Sequence, residues 1–295
     1  MTDKKYFCIV CGTKQQLEFN YRHYKYYRCP KCKLVSTYPF PNKSTIIEHY
    51  RKRFKKGNYM LLQKFSDKYE LVYKTYVDIL KSELKKNKKS LKNSSILDIG
   101  CFTGVFLVLL LKKGANVCGL ELQEEAIEIG REKLGNRIIK ADVMDKKTFP
   151  KKKFTAISML GLVEHVTNPV ELIKRSYGLL EPNGIILIQT PNSNSLFAHM
   201  LRKFWPPYSP VEHIHLFSNK SLEKTLLDIG FTDISIENHW KRLPISYVYN
   251  MLDNFGPEFK FFLKPLSLLP KKIFDLPLPF YVGEMIVTAT KPTRN

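Results

Sequence analysis

What the sequence lacks narrows its reading before any motif is found. No window approaches 18 unbroken apolar residues, so no membrane-spanning helix is expected. The start, Met-Thr-Asp-Lys-Lys, runs into a cysteine pair instead of an apolar stretch. A secretory leader is therefore not expected, and a cytoplasmic chain with reduced thiols follows. Acids are scarce: 27 Asp and Glu face 48 Lys and Arg, for a formal net charge of +21. Arginine is scarce as well, 10 residues against 38 lysines that are scattered along the whole chain. Phosphate-clamping and base-reading surfaces favour arginine. The charge therefore speaks for non-specific association with polyanions more than for a nucleic-acid reader. At 295 residues and 44% hydrophobic, the chain predicts one large domain plus a smaller unit.

Cysteines are few but ordered. Cys8, Cys11, Cys29 and Cys32 read C-x2-C-x17-C-x2-C, the spacing of a four-thiolate zinc site. Such a site is structural, since four protein ligands leave no position open for water. Between the pairs, "KQQLEFNYRHYKYYR" carries Tyr21, Tyr24, Tyr26 and Tyr27 among cations. Alternating aromatics of this kind make ribbon strands more readily than a base-stacking platform. Cys101 and Cys118 sit unpaired in apolar contexts and read as core. Past a zinc ribbon over 1–40, the stretch 41–92 reads as a helical linker or cap. Within it, Tyr69, Val72, Tyr73, Tyr76, Ile79, Leu80 and Leu84 keep helical spacing over 66–89.

From residue 93 to the end, strand and helix patterns alternate. Strands are predicted over 95–99, 116–121, 137–141, 154–159, 184–190, 232–239 and 284–290. That alternation means a parallel sheet with helices on both faces and ligands beyond the carboxyl ends of the strands. The turn "ILDIGCFTGVFL" after the first of these strands lacks the third glycine of a dinucleotide fingerprint and sets Asp98 where a pyrophosphate would lie. An acid there suits a cation. Glu121, ending "NVCGLE", is placed for ribose hydroxyls, and Asp142 in "IIKADVMD" for an adenine amino group. A cation, a ribose and an adenine without phosphate describe S-adenosylmethionine.

Together with "LGLVEHVTNP", "LLEPNGIILIQTPN" and "EHIHLFS", these motifs resemble the class I S-adenosylmethionine-dependent methyltransferases, in a bacterial branch with an N-terminal zinc-knuckle ribbon. The resemblance implies an α/β, Rossmann-like, seven-stranded, mostly parallel sheet with an antiparallel last strand, preceded by a small zinc ribbon. It implies that Asp98, Gly100, Cys101, Gly104, Glu121, Leu122, Asp142, Val143 and Met159 form the cofactor site, Met159 or Leu160 lying by the adenine or the methionine end. Phe102 stands where that family usually has glycine, which predicts a reshaped loop or, in the extreme, a non-catalytic cofactor-binding module.

Methyl transfer is an in-line displacement, so the chain's task is to place the acceptor and remove its proton. Candidate bases are His213, His165 behind it, and Glu212 as a partner if 211–216 turns. Were that segment extended, His213 and His215 would share a face. Trp205 and Tyr208 of "WPPY" read as a substrate-covering turn able to stack on a ring. The proline-broken, apolar segment 244–282 reads as an insertion over the acceptor, as a dimer face, or as a peripheral contact with the inner face of a membrane. The resemblance implies a small-molecule or glycan-linked acceptor. An RNA acceptor, met by the ribbon and the basic surface, is the alternative.

Overall fold

The computed structural model describes residues 6–42, 66–246 and 268–293, with a few isolated positions between them. Two sheets organise the described chain. The larger is built from β4 (Ser95–Ile99), β5 (Asn116–Glu121), β6 (Ile138–Lys140), β7 (Phe154–Leu160), β8 (Leu180–Pro191), β10 (Thr232–Pro244) and β11 (Pro277–Thr290). Its order is β10-β11-β8-β7-β4-β5-β6. Pairing is parallel among β8, β7, β4, β5 and β6, and the last strand β11 runs antiparallel to both of its neighbours. The seven-stranded, mostly parallel sheet implied by the sequence is the sheet observed.

Side chains of the central strands are buried on both faces, which is why they read as unbroken apolar runs instead of alternating. One face packs Ile96, Ile185 and Leu187 against Val72, Tyr76, Leu80 and Leu84 of α1 (Ser66–Lys86), Phe106 and Leu110 of α2 (Val105–Lys112), and Ile127 and Leu134 of α3 (Glu124–Leu134). The other packs Leu97, Ile157, Ile186 and Ile188 against Leu172 and Ile173 of α4 (Pro169–Leu179) and Leu222 and Leu226 of α6 (Asn219–Ile229). The predicted helix over 66–89 thus ends three residues early. Its Val72, Tyr76, Leu80 and Leu84 are the buried stripe, while the side chain of Tyr69 lies outside the described residues.

The smaller sheet has the order β1-β2-β3-β9, with β1 (Gln16–Tyr21), β2 (Tyr24–Arg28) and β3 (Val35–Tyr38) from the ribbon. Its fourth strand, β9 (His215–Leu216), comes from far along the chain and pairs Val35 with Leu216 and Ser36 with His215. Tyr26 is completely buried, packed with Val35, Trp205, Tyr208 and Leu216. The tyrosines of β2 are strand residues, as predicted. The rings of "WPPY" are not free to stack on a ligand: Trp205 and Tyr208 are buried against the ribbon, and Trp205 Nε1 donates to the Val282 carbonyl at 3.2 Å.

Strand β11 begins seven residues before the predicted 284. Residues Trp240–Pro244 and Pro277–Tyr281 pair as a two-stranded arm beyond the point where Glu284 last pairs with β8 at Pro191. The end of the expected 244–282 insertion is therefore strand, and most of its middle lies outside the described residues.

The turn between β4 and α2 depends on Gly104, which has φ 71°. A Cβ added there would lie 2.3 Å from Leu134 Cδ1. Gly104→Ala should therefore destabilise the fold by about 2 kcal/mol, from left-handed strain plus overpacking. Urea unfolding monitored by circular dichroism checks this, and an unchanged midpoint would contradict it.

Candidate active site

The carboxyl ends of β4, β5, β6 and β7 converge on one edge. Asp98, in β4, is 3% exposed and pairs in register with Gly119 and Ser158. Its Oδ1 accepts a 2.6 Å hydrogen bond from Ser158 Oγ. Burial pushes its carboxyl up to about 7, opposed by the Ser158 hydroxyl and reinforced by the Glu121 charge. Tyr73 of α1 is held in the same surroundings, its hydroxyl pushed up to about 12 by burial and by the charges of Asp98 and Cys101.

The loop that follows is left-handed at three positions within five residues: Gly100 at φ 72°, Phe102 at 50° and Gly104 at 71°. Phe102 therefore takes the conformation that a glycine would take, at a cost of about 1–2 kcal/mol. Its N–H donates to Glu121 Oε2 at 2.9 Å. Glu121 Oε1 accepts from the N–H groups of Leu122 and Gln123 at 2.7 and 2.9 Å. One carboxylate thus closes both the β4 and the β5 turns, which is how the loop holds its course without the third glycine. Asp142 lies exposed two residues past β6, with Oδ1 accepting from the Met144 N–H at 2.8 Å.

The remaining expected cofactor residues are placed unevenly. Leu122 is 62% exposed at the rim. Val143 is buried beneath Asp142, and the Cys101 side chain is buried facing Gly119 while its main chain forms the loop. Met159 is fully buried among Leu172, Ile173 and Ile188, so its side chain belongs to the core. Leu160, one residue on and half-exposed at the strand end, is the other candidate for that place.

Beyond β7 the chain turns at Gly161, and Leu162 packs against Gly100 of the loop. Glu164 and His165 follow on the same turn. Glu164 is 3% exposed, and its Oε2 accepts from Thr190 Oγ1 at 2.9 Å. Burial raises its pKa, against the charge of His213. His165 Nε2 lies 3.8 Å from Glu164 Oε1, and the His165 and His213 ring centroids are 4.8 Å apart. Ligand atoms of Glu164, His165 and His213 all fall within 4.8 Å of one another.

A turn, not an extended strand, delivers His213: the N–H groups of Glu212 and His213 both donate to the Ser209 carbonyl. His213 Nδ1 lies 2.6 Å from the Pro207 carbonyl and His165 Nδ1 lies 2.9 Å from the Glu212 carbonyl. A carbonyl can only accept, so both Nδ1 atoms carry protons and both Nε2 atoms carry lone pairs when the rings are neutral. Burial, followed by the neighbouring His165, lowers the pKa of His213 and keeps it neutral. Glu212 orients His165 through its carbonyl, while its carboxylate meets His49 Nε2 at 2.7 Å. His215, on the opposite side of the turn, is fully buried between Ser36 Oγ at 3.0 Å and the Thr167 carbonyl at 3.2 Å, a structural histidine. Glu164 and Ser158 escape sequence reading. Glu164 adjoins a singled-out histidine, but nothing in "VEH" says which of the two side chains is buried.

The ribbon forms the back wall of this turn. Thr37 donates its N–H to the Ile214 carbonyl at 3.0 Å and its hydroxyl to the His213 carbonyl at 3.2 Å. Arg28 donates to the Ser193 carbonyl and to Tyr208 Oη, each at 3.2 Å. In the ribbon itself, Cys8 and Cys32 Sγ are 3.4 Å apart, as are those of Cys11 and Cys29, and all four lie within 4.8 Å of one another.

The raised pKa of Asp98 has a definite sign. An acid that ionises near 7 when folded and near 4 when unfolded adds stability below about pH 4, and that contribution is lost as pH rises through about 7. Asp98→Asn should remove up to about 1.4 kcal/mol per pH unit of slope from this window. Thermal melts of wild type and variant from pH 4 to 8 measure the difference, and parallel curves would refute the assignment.

A family model described as "Methyltransferase domain" matches residues 70–236. The ubiquinone biosynthesis O-methyltransferase of Pelagibacter ubique (strain HTCC1062) is 28% identical over 193 residues, 58% of this chain and 80% of that protein. Its namesake from Actinobacillus pleuropneumoniae serotype 7 (strain AP76) is 29% identical over 127 residues, so the match spans 40% of this chain and 54% of that relative. The solved structure of the plantazolicin methyltransferase BpumL in complex with SAH shares the fold, with a TM-score of 0.53 at 18% identity over 84% of this chain and 93% of that one. The sheet order, the glycine turn and the family match together place the chain in the methyltransferase domain family, as a class I S-adenosylmethionine-dependent methyltransferase.

Proposed function

We propose that this chain methylates a small-molecule acceptor at the edge formed by β4, β5, β6 and β7, with His213 as the base. The observation that carries the reading is the presence of three acids at the carboxyl ends of β4, β5 and β6 together with a pair of imidazoles whose first member, His165, lies five residues past the carboxyl end of the neighbouring β7. Asp98 is a buried carboxylate with one hydroxyl partner, and it favours a cation over any anion. Glu121 and Asp142 each keep acceptor capacity beyond the main-chain bonds they already make, and they suit a ribose and an adenine amino group. These residues fit S-adenosylmethionine, which supplies an electrophilic methyl on a sulfonium when bound.

The chain's own contribution is then positional and basic. His213 Nε2, with its lone pair fixed by the Nδ1 bond to Pro207, takes the proton of a hydroxyl or amine acceptor. His165 lies against it and Glu164 behind, where an imidazolium that gains this proton meets a carboxylate. Oxygen as the attacking atom is supported by the two relatives, both O-methyltransferases by name. A glycan-linked acceptor is one member of the small-molecule class and rests on sequence resemblance alone.

The ribbon would hold one structural Zn2+. Tetrahedral zinc with bonds near 2.3 Å requires sulfurs about 3.8 Å apart, and the observed 3.4–3.7 Å contacts fit that cage. Gly12 at φ 68° and Lys33 at φ 65° each follow the second cysteine of a pair, so the two knuckles share one backbone shape.

His213→Ala should lower methyl incorporation about a hundredfold with the affinity for S-adenosylmethionine unchanged, because the base acts on the acceptor. Glu121→Gln should weaken that affinity by about 2 kcal/mol while retaining the size of the side chain that braces the loop. Calorimetry with the cofactor, and transfer of labelled methyl into a metabolite extract, separate the two. Loss of cofactor binding in His213→Ala would remove it as the base.

Metal analysis of the whole chain should find about one zinc per molecule, absent from Cys29→Ser. Since Thr37 holds the His213 turn, the same variant should lose acceptor turnover yet keep cofactor affinity. Wild-type protein purified without chelator and free of zinc would end the assignment.

A further inference from the structure

The short helix α5 (Leu196–Leu201), with the 3-10 turn Arg202–Phe204 that follows, is inside out. Its buried side chain is the small Ala198, whereas Leu196, Met200 and Phe204 are 69, 68 and 63% exposed. Leu196 and Met200, four residues apart on the helix, share a face turned toward water, the reverse of what a helix packed on a soluble core presents, and Phe204 adds a third exposed apolar side chain past the break at Arg202, where φ is 48°. The stripe continues onto the arm: the Phe197 ring meets Tyr281 at 6.0 Å, and Tyr281 meets Trp240, itself 56% exposed, at 5.4 Å. An apolar surface of this extent marks a contact site.

Charge says which contact. Residues 192–211 contain no Asp or Glu but carry His199, Arg202 and Lys203. Arg202 and Lys203 are exposed beside the stripe, and Arg242 is exposed on the arm. A second copy docking through this face would bring two sets of cations together with no acid in the segment to match them. A nucleic acid would satisfy the cations and leave the stripe in water. An interface that takes apolar side chains a few ångströms deep and offers anions at the same level satisfies both.

We propose that the α5 stripe and the adjoining arm are a shallow docking surface for an anionic lipid bilayer. It lies just past Pro191, the carboxyl end of β8, so the docked protein has this edge of its main sheet turned toward the lipid. The surface centres on α5, outside the 244–282 segment in which the sequence suggested membrane contact, and meets that segment at the strand that carries Tyr281; it stands independently of the methyl-transfer assignment.

The test uses the full chain sedimented with unilamellar vesicles of phosphatidylcholine, with or without phosphatidylglycerol. Wild type should bind the phosphatidylglycerol vesicles and release in high salt. Met200→Glu with Phe204→Glu should lower that binding about tenfold or more. Replacing Arg202 and Lys203 by serine should lower it about fivefold per charge, with little effect on phosphatidylcholine alone. All these positions are exposed, and an unchanged thermal melt verifies that the fold is kept. Wild type remaining in the supernatant with anionic vesicles would overturn the proposal. So would unchanged binding by the Met200/Phe204 variant, or light scattering that shows a dimer which that variant dissolves.

Discussion

A carboxylate kept out of water at the end of a central strand sets the terms for the rest of this molecule. Asp98 is costly to bury, and its one hydroxyl partner, Ser158, offsets part of that cost and no more. The site is therefore poised for a positive ligand before any ligand arrives. Around it the sheet supplies only fixed features: the parallel register that sets Ser158 beside Asp98, the left-handed loop, and the apolar helices that exclude water from below.

Glu121 shows how one residue can serve two purposes. Three main-chain N–H groups converge on its carboxylate, two from its own turn and one from Phe102. The bond to Phe102 helps to hold a non-glycine residue in a conformation that glycine would adopt freely. A departure from the expected glycine pattern is thus absorbed locally, by an acid that also stands where a ribose is expected to bind.

Much of the main sheet was legible because buried parallel strands leave a strong mark: short apolar runs, each closed by a glycine or an acid. The boundaries of β4 and β5 follow directly from "SILDI" and "NVCGLE". What could not be read was long-range. Nothing in "EHIHLFS" says that His215 and Leu216 will pair with the ribbon, since two residues carry no periodicity. That missing contact is why His215 could be read as sharing a face with His213, and why Trp205 and Tyr208 seemed free to stack on a ligand. Met159 and Leu160 could not be told apart for a related reason: sequence gives the alternation of a strand but not which parity meets the helices. Glu164 was hidden because burial, not residue type, is what sets it apart.

The pairing of β3 with β9 also bears on how the chain is made. Ser36 and His215 are 179 residues apart, and synthesis runs from the N-terminus. While the intervening sheet is being assembled, one edge of the ribbon stands open, with Tyr26 and Val35 lacking Leu216 and Tyr208 to pack against. An unpaired edge with apolar neighbours invites pairing with another chain. From Lys14 to Lys33 the ribbon carries six Lys and Arg against the single acid Glu18, and like charge of that kind opposes the approach of two such edges.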